Sequence, residues 1–154
     1  TTPLEKTVCK RIAGKKVAII PILRAGLGMV DGLLSLVPSA RVGHVGMYRD
    51  PTTHAPHQYY CKFPPDVESR TCLIVDPMLA TGGSLTAAIQ FLREAHVRDI
   101  RALTIVSAPE GVRAALDFDP GVRLYTCAVD RGLNESAYIL PGLGDAGDRI
   151  YGTK

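Results

Sequence analysis

The sequence lacks any apolar run approaching the roughly 18 residues that a membrane-spanning helix needs. No secretory signal pattern stands at its start, so the expectation is a cytoplasmic chain with no membrane partner. No C-x-x-C occurs. Cys9, Cys61, Cys72 and Cys127 stand far apart, which argues for reduced thiols rather than a disulfide framework. Cys72 and Cys127 lie in apolar runs, where a thiol serves as a small hydrophobe. The basic residues form no run and no aromatic-interleaved stripe, so nothing points to nucleic acid. No G-x-G-x-x-G follows the first apolar run, which disfavours a dinucleotide site. No internal repeat or linker divides the chain, and residues 1–154 read as one domain.

What is present is ordinary for a globular α/β protein: 46% apolar residues, 21% charged residues and a net charge of +3, mild enough to suit a small anionic ligand. Thr2-Pro3-Leu4-Glu5 has the form of a capping box. With Leu4, Val8 and Ile12 at helical spacing and Gly14 as a stop, it predicts an opening helix. Val17–Ile20 reads as a buried strand and Pro21–Gly26 as a turn. Met29–Leu36 reads as a short helix and Arg41–Tyr48 as a strand. Arg49–Pro65 is an excursion. Thr71–Val75 is the clearest buried strand, and Ser84–Ala95 is a helix with Leu85, Ala88, Ile89 and Leu92 on one face. Ile100–Val106 and Leu124–Val129 are strands around a proline-initiated helix, Pro109–Leu116. Gly132–Lys154 is glycine-rich and irregular. Alternating strands and helices predict a parallel sheet covered on both faces, with ligands bound beyond the carboxyl ends of its strands.

Four segments carry chemistry. Asp76–Ser84 runs from a buried strand into an amphipathic helix. At Thr81, Gly82, Gly83 and Ser84 the backbone can approach an anion closely, and the helix start favours phosphate. Asp76 suits sugar hydroxyls or a metal, so acid and nest together suggest a ribose phosphate. The same residues would also serve a tight turn with N-capping side chains. In Pro21–Gly28, Arg24 sits among small residues and can take phosphate oxygens bidentately, or it is a solvated loop arginine. Within the excursion, His54, His57 and Cys61 fit no ordinary closed zinc spacing. Tyr138–Arg149 is rich in glycine and, on composition alone, is a surface loop.

Asp76–Ser84 resembles the phosphoribosyl pyrophosphate loop of the type I phosphoribosyltransferases, where a strand and two acids precede T-G-(G/S)-(S/T). Pro77 replaces the second acid. The resulting D-P-M-L-A-T-G-G-S is similar to that of the uracil phosphoribosyltransferases. Pro21–Gly28 resembles their pyrophosphate loop, which often holds a non-proline cis peptide. Arg49 matches an arginine that contacts pyrophosphate. The run G-L-G-D-A-G-D-R, Gly142–Arg149, is similar to their base loop, and backbone amides and carbonyls there can read both carbonyls and the N3–H of uracil.

The resemblance implies a type I phosphoribosyltransferase-like parallel sheet flanked by helices, a β-hairpin lid and an irregular C-terminal base-binding loop. It implies transfer of phosphoribose from 5-phospho-α-D-ribose 1-diphosphate to uracil, giving UMP and diphosphate. Arg24, Arg49 and Asp145 are the catalytic candidates. Donor-binding candidates are Arg24, Arg49, Asp76, Pro77, Met78, Leu79, Ala80, Thr81, Gly82, Gly83, Ser84 and Asp145. Ile139, Gly144, Asp145 and Ala146 would meet uracil. Mg²⁺ is the implied cofactor, with Asp145 as its ligand. A homo-oligomer and GTP as allosteric effector are further implications, as is a segment that family members carry ahead of the position of Thr1. Two alternatives remain at this stage: a phosphoribosyltransferase for another base, and a non-catalytic pyrimidine-nucleotide-sensing regulator of the same fold.

Overall fold

Val17–Leu23 forms β1, and six of its seven residues are buried. Alternation sends Ala18, Ile20 and Ile22 into one core with Cys72, Ile74 and Ala102, and Ile19 into a second with Val30 and Val75. The structure, a computed structural model, describes residues 3–8, 16–49 and 56–153.

β2 (Arg41–Val42) and β3 (His44–Arg49) both run parallel to β1, and β4 (Pro56–Lys62) runs antiparallel to β3. β5 (Thr71–Val75) lies parallel to β1 on its other side. β6 (Met78–Leu79) follows β5, and both lie along β7 (Asp99–Ser107). β8 (Arg123–Val129) closes the parallel series against β7. The sheet is mixed, mostly parallel and flanked by helices, rather than wholly parallel as the sequence predicts.

α1 (Val30–Leu36) follows a 3-10 turn at Ala25–Met29. α2 (Gly83–Glu94) buries Leu85, Ala88, Ile89 and Leu92 at the predicted i, i+3, i+4, i+7 spacing. α3 (Pro109–Phe118) starts on its proline. Arg93 joins the ends of these two helices. It donates to the Val97 and Arg98 carbonyls at 2.8 Å each and pairs with Asp119 at 2.7 Å.

Several expectations need correction. Residues 3–8 are not helical, and Leu4 and Val8 are 96% and 99% exposed. A helix this short is marginal without a buried face, so the local capping signal is not enough. Thr2, Ile12 and Gly14 lie outside the described residues. Pro21 does not begin a turn: β1 continues through it, with Pro21 opposite Val75. The predicted strand at Arg41–Tyr48 is two strands, broken at Gly43. There a Cβ would lie 2.9 Å from the Lys62 carbonyl oxygen. Cys72 is buried, and desolvation pushes its thiol up to about 12. Cys127, expected buried as well, is exposed. The sheet face beyond α1 is open at β7 and β8, where Ile105 and Tyr125 are 44% and 51% exposed. Covering of both faces therefore stops short of that edge. The excursion's arms are the β3–β4 hairpin, while Cys9, His54 and the His57 side chain lie outside the described residues.

Arg70, at the foot of β5, is 2% exposed. Its Nε and Nη2 donate to the two carboxylate oxygens of Asp66 at 2.9 and 2.7 Å, and its Nη1 donates to the Val17 carbonyl at 3.2 Å. Hydrogen bonding from Arg70 lowers the Asp66 carboxyl to about 2. A carboxyl depressed on folding stabilises fully above its unfolded value of about 3.9 and loses that contribution as pH falls through about 2. The urea midpoint should therefore drop between pH 4 and 2, and Asp66→Asn should flatten that part of the profile. An equal slope in both proteins would exclude the pair as its source.

Candidate active site

Past Val75 the chain does not leave the sheet. Asp76 N donates to Leu103 O at 3.2 Å. Ile105 N and Val106 N donate to Pro77 O at 3.1 and 3.0 Å, and Ala108 N donates to Leu79 O at 2.8 Å. The loop Asp76–Ser84 is thus stitched to β7 along its first half. Its second half rests on α3. A Cβ on Gly111 would lie 2.3 Å from the Ala80 carbonyl oxygen, and one on Gly82 would lie 2.9 Å from Ala114 Cβ. Gly82 also has φ +90, a left-handed conformation that glycine adopts without cost. It is the N-cap residue of α2, and no side chain caps that end. The first internal bond of the turn is Thr86 N to Gly82 O at 2.9 Å. The α2 start therefore presents backbone donors without a capping side chain, as an anion site requires and a capped turn does not. The loop lines a cleft of ≈ 30 Å³ together with Ile74, Leu85 and Thr104, and Asp76 and Ser84 are among its walls. Thr81 is exposed.

The Arg24 segment arrives at the same end of the sheet. The Leu23–Arg24 peptide is cis. A Cβ on Gly26 would lie 2.4 Å from the Val75 carbonyl oxygen, so this turn presses on the strand that leads into Asp76. The Arg24 guanidinium pairs with Asp148 at 3.2 Å and donates to Thr153 Oγ1 at 3.2 Å. The Arg24 side chain is 52% exposed, and ion pairs of this kind contribute about 1 kcal/mol or less. The exposed part of the guanidinium can meet an incoming phosphate.

The tail is more ordered than its glycine content suggests. β9 (Gly132–Leu133) and β10 (Ile139–Leu140) pair antiparallel, and α4 spans Ala146–Tyr151. Asn134 Oδ1 accepts from Ser136 N and Tyr138 N at 3.0 and 2.8 Å, which shapes the turn between the strands. Gly142 has φ +51, and a Cβ there would lie 2.2 Å from the Ile139 carbonyl oxygen. Its N–H donates to Asp130 at 2.8 Å. Asp145 caps α4 by accepting from Asp148 N at 2.9 Å.

The structure brings Arg24, Asp145 and Asp148 together. A Cβ on Gly147 would lie 3.2 Å from Asp145 Oδ1 and 3.6 Å from Arg24 Nη2. Ile139 and Ala146 are 2% and 8% exposed, whereas Gly144 is open to solvent. Arg49 ends β3 opposite Pro56, and its side chain lies outside the described residues. Asp148 entered the sequence reading only as part of the run Gly142–Arg149, and Tyr151, Thr153 and Gly111 did not enter it as site residues. Only Gly111 had a visible signal, a glycine inside a predicted helix, where it costs about 1 kcal/mol against alanine unless close packing needs it. Among the described residues no three His, Cys, Asp or Glu side chains form a metal cluster, and no helix is long and apolar enough to cross a membrane.

Parallel strands that deliver an uncapped helix start and an arginine turn to one edge have counterparts among solved structures. The AQ2163 protein from Aquifex aeolicus superposes with a TM-score of 0.84 at 38% identity, covering 88% of this chain and 64% of that one. A purine phosphoribosyltransferase from Pyrococcus horikoshii superposes at 0.56 over 77% of this chain and 80% of its own, with 15% identity. The second likeness concerns the fold alone, which is that of the phosphoribosyltransferases. In sequence, residues 1–153 match the family described as Uracil phosphoribosyltransferase. Curated uracil phosphoribosyltransferases from Lacticaseibacillus paracasei and Streptococcus suis are 58% and 59% identical over 153 residues, covering 99% of this chain and 73% of theirs. The chain belongs to the uracil phosphoribosyltransferase family, and its class is that of a glycosyltransferase.

Proposed function

We propose that this chain joins uracil N1 to C1 of 5-phospho-α-D-ribose 1-diphosphate at the edge shared by β1 and β5, with Arg24, Arg49 and Asp145 as catalytic residues. One observation carries the assignment: Arg24 and Asp145 both approach Gly147, beside the strand that feeds an uncapped α2 start. The amides from Thr81 to Ser84 bind the 5′-phosphate, and Asp76 holds the ribose hydroxyls. Pro77, Met78, Leu79 and Ala80 are the backbone that sets this cradle. Arg24 and Arg49 take the diphosphate. As the C1–O bond breaks, charge grows on the leaving diphosphate and these cations stabilise it. The sugar passes through an oxocarbenium-like state, as in glycoside cleavage. The N1–C1 bond forms on its other face, and the N1 proton is released.

Ile139, Gly144 and Ala146 present backbone groups to uracil. Placement of N1 in line with C1 supplies much of the rate. The hairpin β3–β4 acts as a lid that excludes water from the sugar cation. Mg²⁺ suits this donor set, since it keeps several waters and takes one or two carboxylates plus substrate phosphates. Asp145 would hold it: among the described residues only Oδ1 of that carboxylate accepts a hydrogen bond. When bound, the ion adds positive charge against the diphosphate.

The deciding assay adds the donor and Mg²⁺ with uracil, orotate or hypoxanthine and follows diphosphate release. Release with uracil alone is expected. Equal release with hypoxanthine, or none with uracil, would overturn the reading. Family resemblance also carries a single domain over residues 1–154, a cytoplasmic homo-oligomer and GTP as effector. Light scattering with and without GTP checks the last two.

A further inference from the structure

α4 is only six residues long, and both Ile150 and Tyr151 on it are substantially exposed, at 48% and 42%. A helix of that length does not hold itself in water. Its first turn is buried at Ala146 and Gly147. Its far end rests on the Arg24–Gly28 turn, where Ile150 lies by Gly28 and Arg24 takes most of the polar contacts. Asp148 pairs with Arg24 Nη2 at 3.2 Å, and Thr153 Oγ1 accepts from Nη1 at 3.2 Å. Thr153 in turn donates to Asp148 Oδ1 at 2.6 Å, tying the two acceptors together. The Tyr151 hydroxyl donates to the Arg24 backbone carbonyl at 3.1 Å, and the Tyr151 ring lies 5.9 Å from the guanidinium carbon. Arg24 is thus gripped at both its backbone and its side chain by one short helix and the turn after it. That same helix begins at Asp145 and Ala146.

We propose that Asp148, Tyr151 and Thr153 are positioning residues for Arg24, and that through α4 they couple the diphosphate end of the site to the uracil end. The inference rests on the reading of Arg24 as a diphosphate ligand. Asp148 aims the guanidinium while the diphosphate joins it on the exposed side. Tyr151 fixes the carbonyl from which the side chain springs. When the grip is lost, Arg24 is no longer preorganised, and α4 loses its far anchor.

The test is steady-state kinetics of Asp148→Ala, Asp148→Asn, Tyr151→Phe, Arg24→Ala and the double variant Arg24→Ala/Asp148→Ala. Asp148→Ala should raise the donor KM about fivefold and the uracil KM about twofold, with kcat less affected, as expected for loss of an exposed ion pair. Tyr151→Phe, which keeps the ring, should move the same two constants by smaller amounts. Asp148→Asn keeps the Oδ1 acceptor and should recover most of the donor KM. In the Arg24→Ala background the donor-KM effect of Asp148→Ala should vanish, because the two act as one unit. A full additive effect there marks a merely structural role and overturns the proposal. So does a donor KM that shifts with no change for uracil. If Arg24→Ala itself leaves turnover unchanged, the diphosphate assignment fails. If Arg24→Ala acts and both Asp148→Ala and Tyr151→Phe do not, only the grip fails.

Discussion

Arg24→Ala should lower kcat/KM for UMP formation about a hundredfold to a thousandfold, the range seen when one preorganised charge-stabilising donor is removed from a transition state. The reason is the leaving group. Diphosphate departs with several negative charges, and the described part of this edge offers the Arg24 guanidinium and the α2 start to meet them. The Arg24 side chain is 52% exposed, so the substrate can reach the guanidinium beside its partner Asp148. Asp145→Asn should act on the same side of the reaction. The amide keeps the cap on α4 through its oxygen but presents no carboxylate to a cation. Its loss should therefore show as a steeper demand for Mg²⁺ in the diphosphate-release assay. Unchanged rates in both variants would remove Arg24 and Asp145 from the catalytic roles.

Gly111→Ala should disable the site without altering any group that meets substrate. The added methyl would lie 2.3 Å from the Ala80 carbonyl oxygen and 2.9 Å from Leu79 Cγ, with backbone as the nearer obstacle. Either α3 retreats or the Ala80–Gly82 backbone turns. Overpacking of this kind costs about 1–3 kcal/mol, and thermal unfolding should report it as a fall of roughly 3–9 °C. Because the displaced backbone belongs to the proposed phosphate cradle, the donor KM should rise more than the uracil KM. A variant that is destabilised but shows equal rises in both constants would argue that α3 supports the molecule and not the loop.

The elements read most clearly from sequence were those with one dominant physical signal. β5 and the centre of β1 are apolar because both faces are buried. α2 shows its face at Leu85, Ala88, Ile89 and Leu92. Pro21 misled because proline usually ends a strand, yet here β1 runs through it. The tail misled for another reason: strands of two residues and a helix of six are shorter than the span over which periodicity can be seen. Asp76–Ser84 was legible as a site since strand, acid, glycines and helix stand consecutively. The grip on Arg24 was not, because Asp148 lies 124 residues away and only the folded chain brings it near. The base loop rested on resemblance, and its geometry comes from cap, turn and long-range bonds that no local pattern encodes.

The hydrogen bonds from β7 to Asp76, Pro77 and Leu79 have a consequence for how such a molecule can change over generations. Half of the proposed sugar-phosphate cradle is woven into the central sheet, so altering it disturbs the fold itself. The base end is attached differently, through Asp130 to Gly142, Glu110 to Leu133, and Arg24 to α4. These ties are side-chain bonds, joined by the buried side chains of Ile139 and Ala146. On the proposed assignment, a change of base specificity in the tail would disturb the sheet less than a change at the donor end.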